Sequence, residues 1–447
     1  MKLTIVGGGG FRVPLVYTAL MDMRDRLGIE EVVLHDIEQH RIDRIAPVLS
    51  GLAIERGVRL PFRGTTDLVD AVQGASFVLC AIRVGQLEGR VVDESVPLGH
   101  GVLGQETTGP GGLCFALRTI PVMMELAETM AKHAPDAWLI NFTNPAGMVT
   151  EAVQRVLGDR AIGICDSPAG LMRRVARALG RESDQLWFDY FGLNHLGWLK
   201  GVRDGDHQLL PGLLEQDDKL ATFEEGRLFG GEWLRSLDMI PNEYLYYFYY
   251  AADTVNAIRQ SPESRGAFLL RQQSAFYAEG EQPPETALQS WRGTRHDRER
   301  SYMAEARSAA GDGHEHEIDE NGGYEGEAMA VLEAIANNTR AVLVLNTANR
   351  SALPFLDDRA VVEVPCIVGR SGPVPVAIGE VPTHARALVE TMKDVERTTI
   401  DAALSGSRRE AVKALALHPL VPSVATARQI FDEYCERLPG LAEAFAK

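Results

Sequence analysis

Cysteine is scarce in this chain. Five occur in 447 residues (Cys80, Cys114, Cys165, Cys366 and Cys435), and no two form a CxxC pair. An odd, scattered set excludes a disulfide framework and predicts reduced thiols, most of them small buried hydrophobes, in a cytoplasmic protein. Long apolar runs are missing as well. No stretch reaches the roughly 18 apolar residues of a membrane span, and MKLTIVGGGG at the amino terminus has no apolar signal core. Basic charge is in deficit, with 45 Lys and Arg against 62 Asp and Glu for a net charge of −17. Phosphate backbones and anionic bilayers attract Lys and Arg, so a general nucleic-acid or membrane binder is excluded. An anionic substrate would need a local cluster of arginines in an otherwise repelling field.

What is present is ordinary for a globular chain: 45% hydrophobic and 24% charged residues. At roughly 150 residues per domain, the length predicts two or three domains. Up to about residue 165, short apolar runs alternate with helical patterns. Strands are expected at Lys2–Val6, Glu31–His35, Arg59–Arg63, Ser76–Ile82, Ala137–Asn141 and Ala161–Cys165. That alternation predicts βαβ units in a doubly wound parallel sheet. Beyond Cys165 the pattern predicts mostly helix to about residue 280, then a polar stretch over Gln289–Gly323. Strands follow at Ala341–Leu345, Ala360–Val368 and Val374–Ile378, and a helical tail ends the chain. The fold expectation is therefore α/β: an N-terminal parallel sheet of Rossmann type in residues 1–165 and an α+β domain in 166–447. Gly311–Gly323 reads as a mobile loop, in which His314 and His316 read as solvated side chains, not metal ligands.

The first motif is Gly7, Gly8, Gly9 and Gly10, between the first strand and the first helical pattern. There, backbone amides and the helix dipole can hold a pyrophosphate. The spacing departs from GxGxxG, because the third glycine position falls on Arg12 or Val13. Asp36 ends the second strand, where a carboxylate hydrogen-bonds an adenosine ribose and repels a 2′-phosphate. The pair favours NAD, while His35 and Arg41 nearby leave NADP open.

Further strings do not fit an ordinary 2-hydroxyacid or malate dehydrogenase. They are RVGQLEGR (Arg83–Arg90), GQETTGPGG (Gly104–Gly112), NFTNP (Asn141–Pro145), GICDSP (Gly163–Pro168), GLNH (Gly192–His195) and PNEYLYY (Pro241–Tyr247). In this order and spacing, from Met1 to LALHPLV at Leu415–Val421, the chain resembles glycoside hydrolase family 4, the NAD- and metal-dependent glycosidases. Ile140–Val153 and the PNEYLYY string look most like the 6-phospho-β-glucosidases of that family.

The resemblance implies roles for particular residues. Cys165 and His195 match the two protein ligands of a divalent metal, usually Mn²⁺, and Tyr244 matches a tyrosine base. Arg90 and Asn144 match sugar-contacting positions, and Arg265, in SPESRG, matches an arginine near the substrate phosphate. Asp166 stands where α-specific members carry a proton-donating aspartate and β-specific members usually carry asparagine. GGGGFR departs from the family's common GGGS. Taken singly, Cys165 reads as core, His195 as a structural histidine, Tyr244 as one of an aromatic packing face, and Arg83 and Arg90 as surface charges.

The implied reaction is a redox–elimination–addition, an exception to paired-carboxylate hydrolysis. A sugar C2 hydrogen is not acidic. Hydride transfer from C3 to NAD⁺ makes a C3 ketone, and a Lewis-acidic metal on O2 and O3 lets a base remove the C2 proton. The C1 substituent then leaves, water adds, and the hydride returns. A tyrosine, with a free pKa near ~10, needs neighbouring positive charge to act as that base. By softness, thiolate–imidazole ligation alone would suggest Zn²⁺ or Fe²⁺; Mn²⁺ rests on the family. The expectation is a cytoplasmic 6-phospho-β-glucosidase, a dimer or tetramer, acting on a phosphorylated disaccharide or glucoside with NAD and a divalent metal. Its competitors are a 6-phospho-α-glucosidase, favoured by Asp166, a plain NAD-dependent dehydrogenase, and a dinucleotide-sensing protein without catalysis.

Overall fold

The computed structural model describes residues 1–446 except 281, 301–302, 312–313 and 315–322, and the backbone alone at 300, 304 and 305. His316 lies outside the described residues, as does most of the expected loop at 311–323.

Six parallel strands form, the third displaced from the expected Arg59–Arg63 toward the following residues: β1 (Lys2–Val6), β2 (Glu31–His35), β3 (Phe62–Thr65), β4 (Phe77–Cys80), β5 (Trp138–Asn141) and β6 (Ala161–Gly163). They lie side by side in the order β3-β2-β1-β4-β5-β6, all parallel. Helices cover both faces, so the central strands are short buried apolar runs such as FVLC in β4. Their carboxyl ends point to one edge, where the order reverses beside β1; such a crevice is where open α/β sheets bind ligands.

After β6 the expected helical stretch begins with the helix Ser167–Leu179 but is then interrupted by an antiparallel hairpin, β7 (Trp187–Leu193) and β8 (Leu196–Asp204). β9 (His207–Gln208) and β10 (Ile240–Pro241) pair with β8 to complete a second, four-stranded sheet. Its aromatic and branched residues favour strands, but they are buried on both faces and lack the alternation that marks a strand in sequence. The polar stretch from Gln289 also begins as helix, within Pro284–Arg300, which packs on the helix Gln39–Arg56.

The later strands are β11 (Ala341–Ala348), β12 (Val361–Gly369) and β13 (Gly372–Pro375). β11 runs antiparallel to β6 through Asn346 opposite Gly163, and β12 and β13 follow, so the first sheet has nine strands. The C-terminal helices Thr383–Ser405 and Val424–Arg437 pack back on Pro110–His133 and Gln86–Gly99. Among the described residues no helix is long and apolar enough to cross a membrane.

Candidate active site

The glycine turn is shaped by close packing. Gly7 has φ +88°, and a Cβ there would lie 2.6 Å from the Ala81 carbonyl oxygen after β4. The Gly9 amide donates to Asp36 Oδ2 at 3.0 Å and the Glu38 amide to Oδ1 at 3.2 Å, which locks the carboxylate at the end of β2 onto the turn. Tyr277 donates its hydroxyl to the Gly9 carbonyl at 2.7 Å, and the Arg41 guanidinium lies 3.9 Å from the centre of that tyrosine ring. Gly7–Gly10 and Asp36 are thus brought together, with Arg41 engaged by Tyr277. The His35 imidazole is buried, and its Nδ1 has no hydrogen bond.

Cys165 follows β6 and precedes the helix Ser167–Leu179. It is buried, and its thiol is pushed well up by burial and by the charges of Glu363 and Asp166. His195 and Asn194 form the β7–β8 turn. His195 sits in the left-handed region at φ 62°, and Gly192 at φ 147° leaves no room for a Cβ beside the Leu196 carbonyl. His195 is 4% exposed, and neither ring nitrogen has a hydrogen bond. Burial drives its pKa down to about 3, so the imidazole is neutral, the form that binds a cation. Two buried, unpaired ring nitrogens are costly unless something takes them up, and this is the observation that fits a metal. Among the described residues no group of three His, Cys, Asp or Glu side chains converges on one point, so Cys165 and His195 would leave most of the shell to other ligands.

Tyr244 owes its place to the string around it. Pro241 pairs with Trp198 in β8, and the Asn242 side chain accepts the Tyr244 amide at 3.0 Å. The Tyr244 ring therefore stacks on His195, with centroids 3.6 Å apart and planes 1° from parallel. The neighbouring Tyr246 stacks on Tyr250, and Tyr247 is buried, so the aromatic run both packs and serves the site. Asn144 lies half-buried at the Asn144–Pro145 turn, tied to the hairpin because Asn194 Oδ1 accepts the Ala146 amide at 3.1 Å. Glu363 on β12 accepts from Asn194, Asn346 and Tyr190 at 3.2, 2.9 and 3.1 Å. Burial raises its pKa to about 7, against the pull of those hydrogen bonds.

The arginines gather on one carboxylate. Glu106, in GQETTGPGG, pairs with Arg83 and, at 2.9 Å, with Arg90. Burial opposes its charge, but Arg83, Arg90, Arg298 and Arg265 outweigh burial and hold the carboxyl down to about 2. Glu94 accepts from Arg90 Nε at 2.7 Å and from the Gly266 amide at 2.7 Å, which joins Arg90 to the helix that begins at Arg265. Arg265 in turn donates to the Arg298 carbonyl at 2.8 Å. The Arg83 Nη1 is buried without a hydrogen bond. Such a net-positive pocket can bind a phosphoryl group or carboxylate. It is the local cluster that an acidic chain needs for an anionic substrate.

Sequence reasoning left Arg83 undecided and missed Glu106, Arg298, Glu363 and Tyr324. Glu106 stood in a quoted string without a role. Tyr324 begins the helix Tyr324–Asn337, and burial followed by Asp166, Cys165 and Tyr244 raises its pKa well above the usual range. Nothing local in the sequence marks it.

Comparison with known proteins agrees with this geometry. The chain matches the model described as "Family 4 glycosyl hydrolase" over residues 2–181 and that of the family's C-terminal domain over 190–421. A probable 6-phospho-beta-glucosidase of Bacillus subtilis is 31% identical over 98% of this chain and 96% of its own. The structure of the 6-phospho-beta glucosidase from Thermotoga maritima, with NAD and glucose-6-phosphate, is similar at TM-score 0.83 and 27% identity over 99% of both chains. A 6-phospho-alpha-glucosidase from gut microorganisms, in complex with NAD and Mn²⁺, has TM-score 0.78 and 28% identity over 98% of both chains.

Proposed function

Because the chain belongs to glycosyl hydrolase family 4, we propose that it hydrolyses 6-phospho-β-glucosides to glucose 6-phosphate with NAD⁺ and a divalent metal, Mn²⁺ foremost. The carrying observation is that His195, its ring nitrogens unpaired, stacks on Tyr244 and feels the charge of Glu106, the carboxylate on which the arginines gather. In this reading residues 1–165 hold the dinucleotide, on Gly7–Gly10 and Asp36, and residues 166–447 supply most of the sugar and base contacts. A carboxylate at the end of β2, as Asp36 is, favours NAD over NADP, because it repels a 2′-phosphate.

Bound, the cofactors supply a reversible hydride acceptor for C3 and a Lewis acid for the sugar oxygens. Cys165, as thiolate, and neutral His195 would hold the metal. Arg90, Arg265 and their neighbours bind the phosphate and orient the ring, and Asn144 hydrogen-bonds the sugar. Tyr244 Oη would take the C2 proton, its ring fixed by the His195 stack. Water enters at C1 after the aglycone leaves, and Tyr244, its proton exchanged with solvent, reprotonates C2.

One residue favours the α-anomer as a second reading. Asp166 sits beside Cys165 at the start of the helix Ser167–Leu179, and in this reading its carboxyl protonates the departing oxygen. The test supplies NAD⁺, Mn²⁺ and either anomer of nitrophenyl glucoside 6-phosphate, and follows nitrophenolate and NADH together. Faster β-cleavage without net NADH is the expected result. Exclusive α-cleavage that collapses in Asp166→Asn would select the second reading, and stoichiometric NADH would make the protein a dehydrogenase.

A further inference from the structure

Arg12 ends the glycine turn, yet its side chain leaves the turn for the other end of the crevice. Its guanidinium lies 4.8 Å from the centre of the Tyr324 ring, with Nη2 3.7 Å from Glu325 Oε2. The Tyr324 ring is 6.1 Å from that of Phe142, in the string that follows β5. Arg12 is therefore carried from the end of β1 to the ends of β5 and β6. There Asp166 is its strongest favourable charge partner, ahead of Glu325. Arg298 lies near enough for the two charges to act on each other. Burial brings the Arg298 guanidinium down to about 9, and Arg12 is the strongest charge acting with burial.

A guanidinium has five N–H donors. Among the described residues those of Arg12 make no hydrogen bond: the Glu325 contact is too long for one, and the Tyr324 ring takes only a face. The side chain is 41% exposed. Stacking on an aromatic ring fixes such a group at little further entropic cost while its fork stays available.

These contacts point to Arg12 as a further substrate ligand that, together with Arg298, grips the phosphoryl group of the sugar from the side of the glycine turn. The inference rests on the phosphoglucosidase reading and deepens it. A phosphoryl group could also come from the dinucleotide diphosphate. The direction of the side chain, toward Tyr324 and Asp166 and away from the turn's amides, favours the sugar.

The test uses full-length protein with NAD⁺ and Mn²⁺, and titrates glucose 6-phosphate and NAD⁺ separately by calorimetry. Loss of a charge-assisted pair predicts that Arg12→Gln weakens glucose 6-phosphate binding and raises KM for nitrophenyl glucoside 6-phosphate by about tenfold or more, with kcat little changed. Arg12→Lys keeps the charge without the fork and should recover part of the loss. Glu325→Gln removes a neighbour of Arg12 but not its charge, and should leave KM within about twofold. Unchanged glucose 6-phosphate affinity in Arg12→Gln, with a native unfolding temperature, would overturn the inference. So would weakened NAD⁺ binding alone, which would assign Arg12 to the diphosphate. If Arg12→Gln does not fold, Arg12→Lys carries the test, with unchanged KM as the contrary result. A wild-type protein that binds glucose 6-phosphate but cleaves neither anomer would defeat the hydrolase reading and leave the role of Arg12 standing; one that binds no glucose 6-phosphate would defeat both.

Discussion

The two ends of the crevice are built by different means. At the end proposed for the dinucleotide the groups are backbone amides and one carboxylate, set by the tight turn after β1 and the end of the neighbouring β2. At the end proposed for the sugar they are side chains from distant segments: Cys165 after β6, His195 on a hairpin, Tyr244 after β10, and Arg265 on a helix. Local geometry suffices for a pyrophosphate, whose shape is constant. A reacting sugar needs a base, a cation site and an anion site at fixed separations, and only a network such as Glu363–Asn194–Ala146 can hold them.

Substitutions at the two ends should therefore separate chemistry from cofactor affinity. The largest effect is expected at the proposed cation ligands. Cys165→Ser and His195→Ala should each abolish nearly all turnover while NAD⁺ affinity, measured by calorimetry, survives. The loss should exceed the roughly 10- to 100-fold cost of removing a mere outer partner of a metal ligand. Substantial turnover in either variant at trace metal would remove that residue from the chemistry. Tyr244→Phe keeps the stacked ring and loses the hydroxyl, so turnover should fall by about 10²–10⁴-fold with folding intact. Wild-type protein in D₂O, free of sugar-phosphate isomerase, should place deuterium at C2 of the product. Protium there, with full turnover in Tyr244→Phe, would exclude the redox–elimination route.

Asp36→Ala tests the other end. NAD⁺ affinity should drop about tenfold, as expected for losing hydrogen bonds to a charged group, while kcat at saturating NAD⁺ stays near wild type. An equal fall in kcat would erase the contrast between the two ends.

A smaller effect concerns pH and stability. The Glu106 carboxyl lies at about 2 in the folded chain, below its ordinary 4.5, so its stabilising contribution is present above about pH 4.5 and lost as pH falls toward 2. Glu106→Gln should lower stability near neutral pH by on the order of 3 kcal/mol, with the deficit shrinking as acid is added. Added inorganic phosphate should restore part of it by replacing the lost negative charge. Urea unfolding from about pH 7 to pH 3 checks this, and a deficit independent of pH would deny the arginine coupling. The smallest effect is at Ser264, whose hydroxyl accepts the Ala267 amide at 3.2 Å and caps the helix that begins with Arg265. Ser264→Ala should cost about 1 kcal/mol in unfolding free energy.

The sequence alone determined the parallel half of the fold and the chemistry of its turn. Strands of four or five apolar residues, separated by helical patterns and ended by Gly7–Gly10 and Asp36, carry their meaning within a few positions, because βαβ geometry is local. The resemblance named Cys165, His195, Tyr244 and Arg90 one at a time. Only the tertiary structure decided what surrounds them. The β7–β8 hairpin was hidden because burial on both faces erases the alternation that marks a strand. The joining of β11 to β6 depends on residues 163 and 346 meeting, which no local pattern records. The gathering of Arg83, Arg90, Arg265 and Arg298 on Glu106, and the reach of Arg12 to Tyr324, likewise bring together groups far apart in the chain. Charges act through space, and in an acidic chain where they collect is set by which segments the core packs side by side.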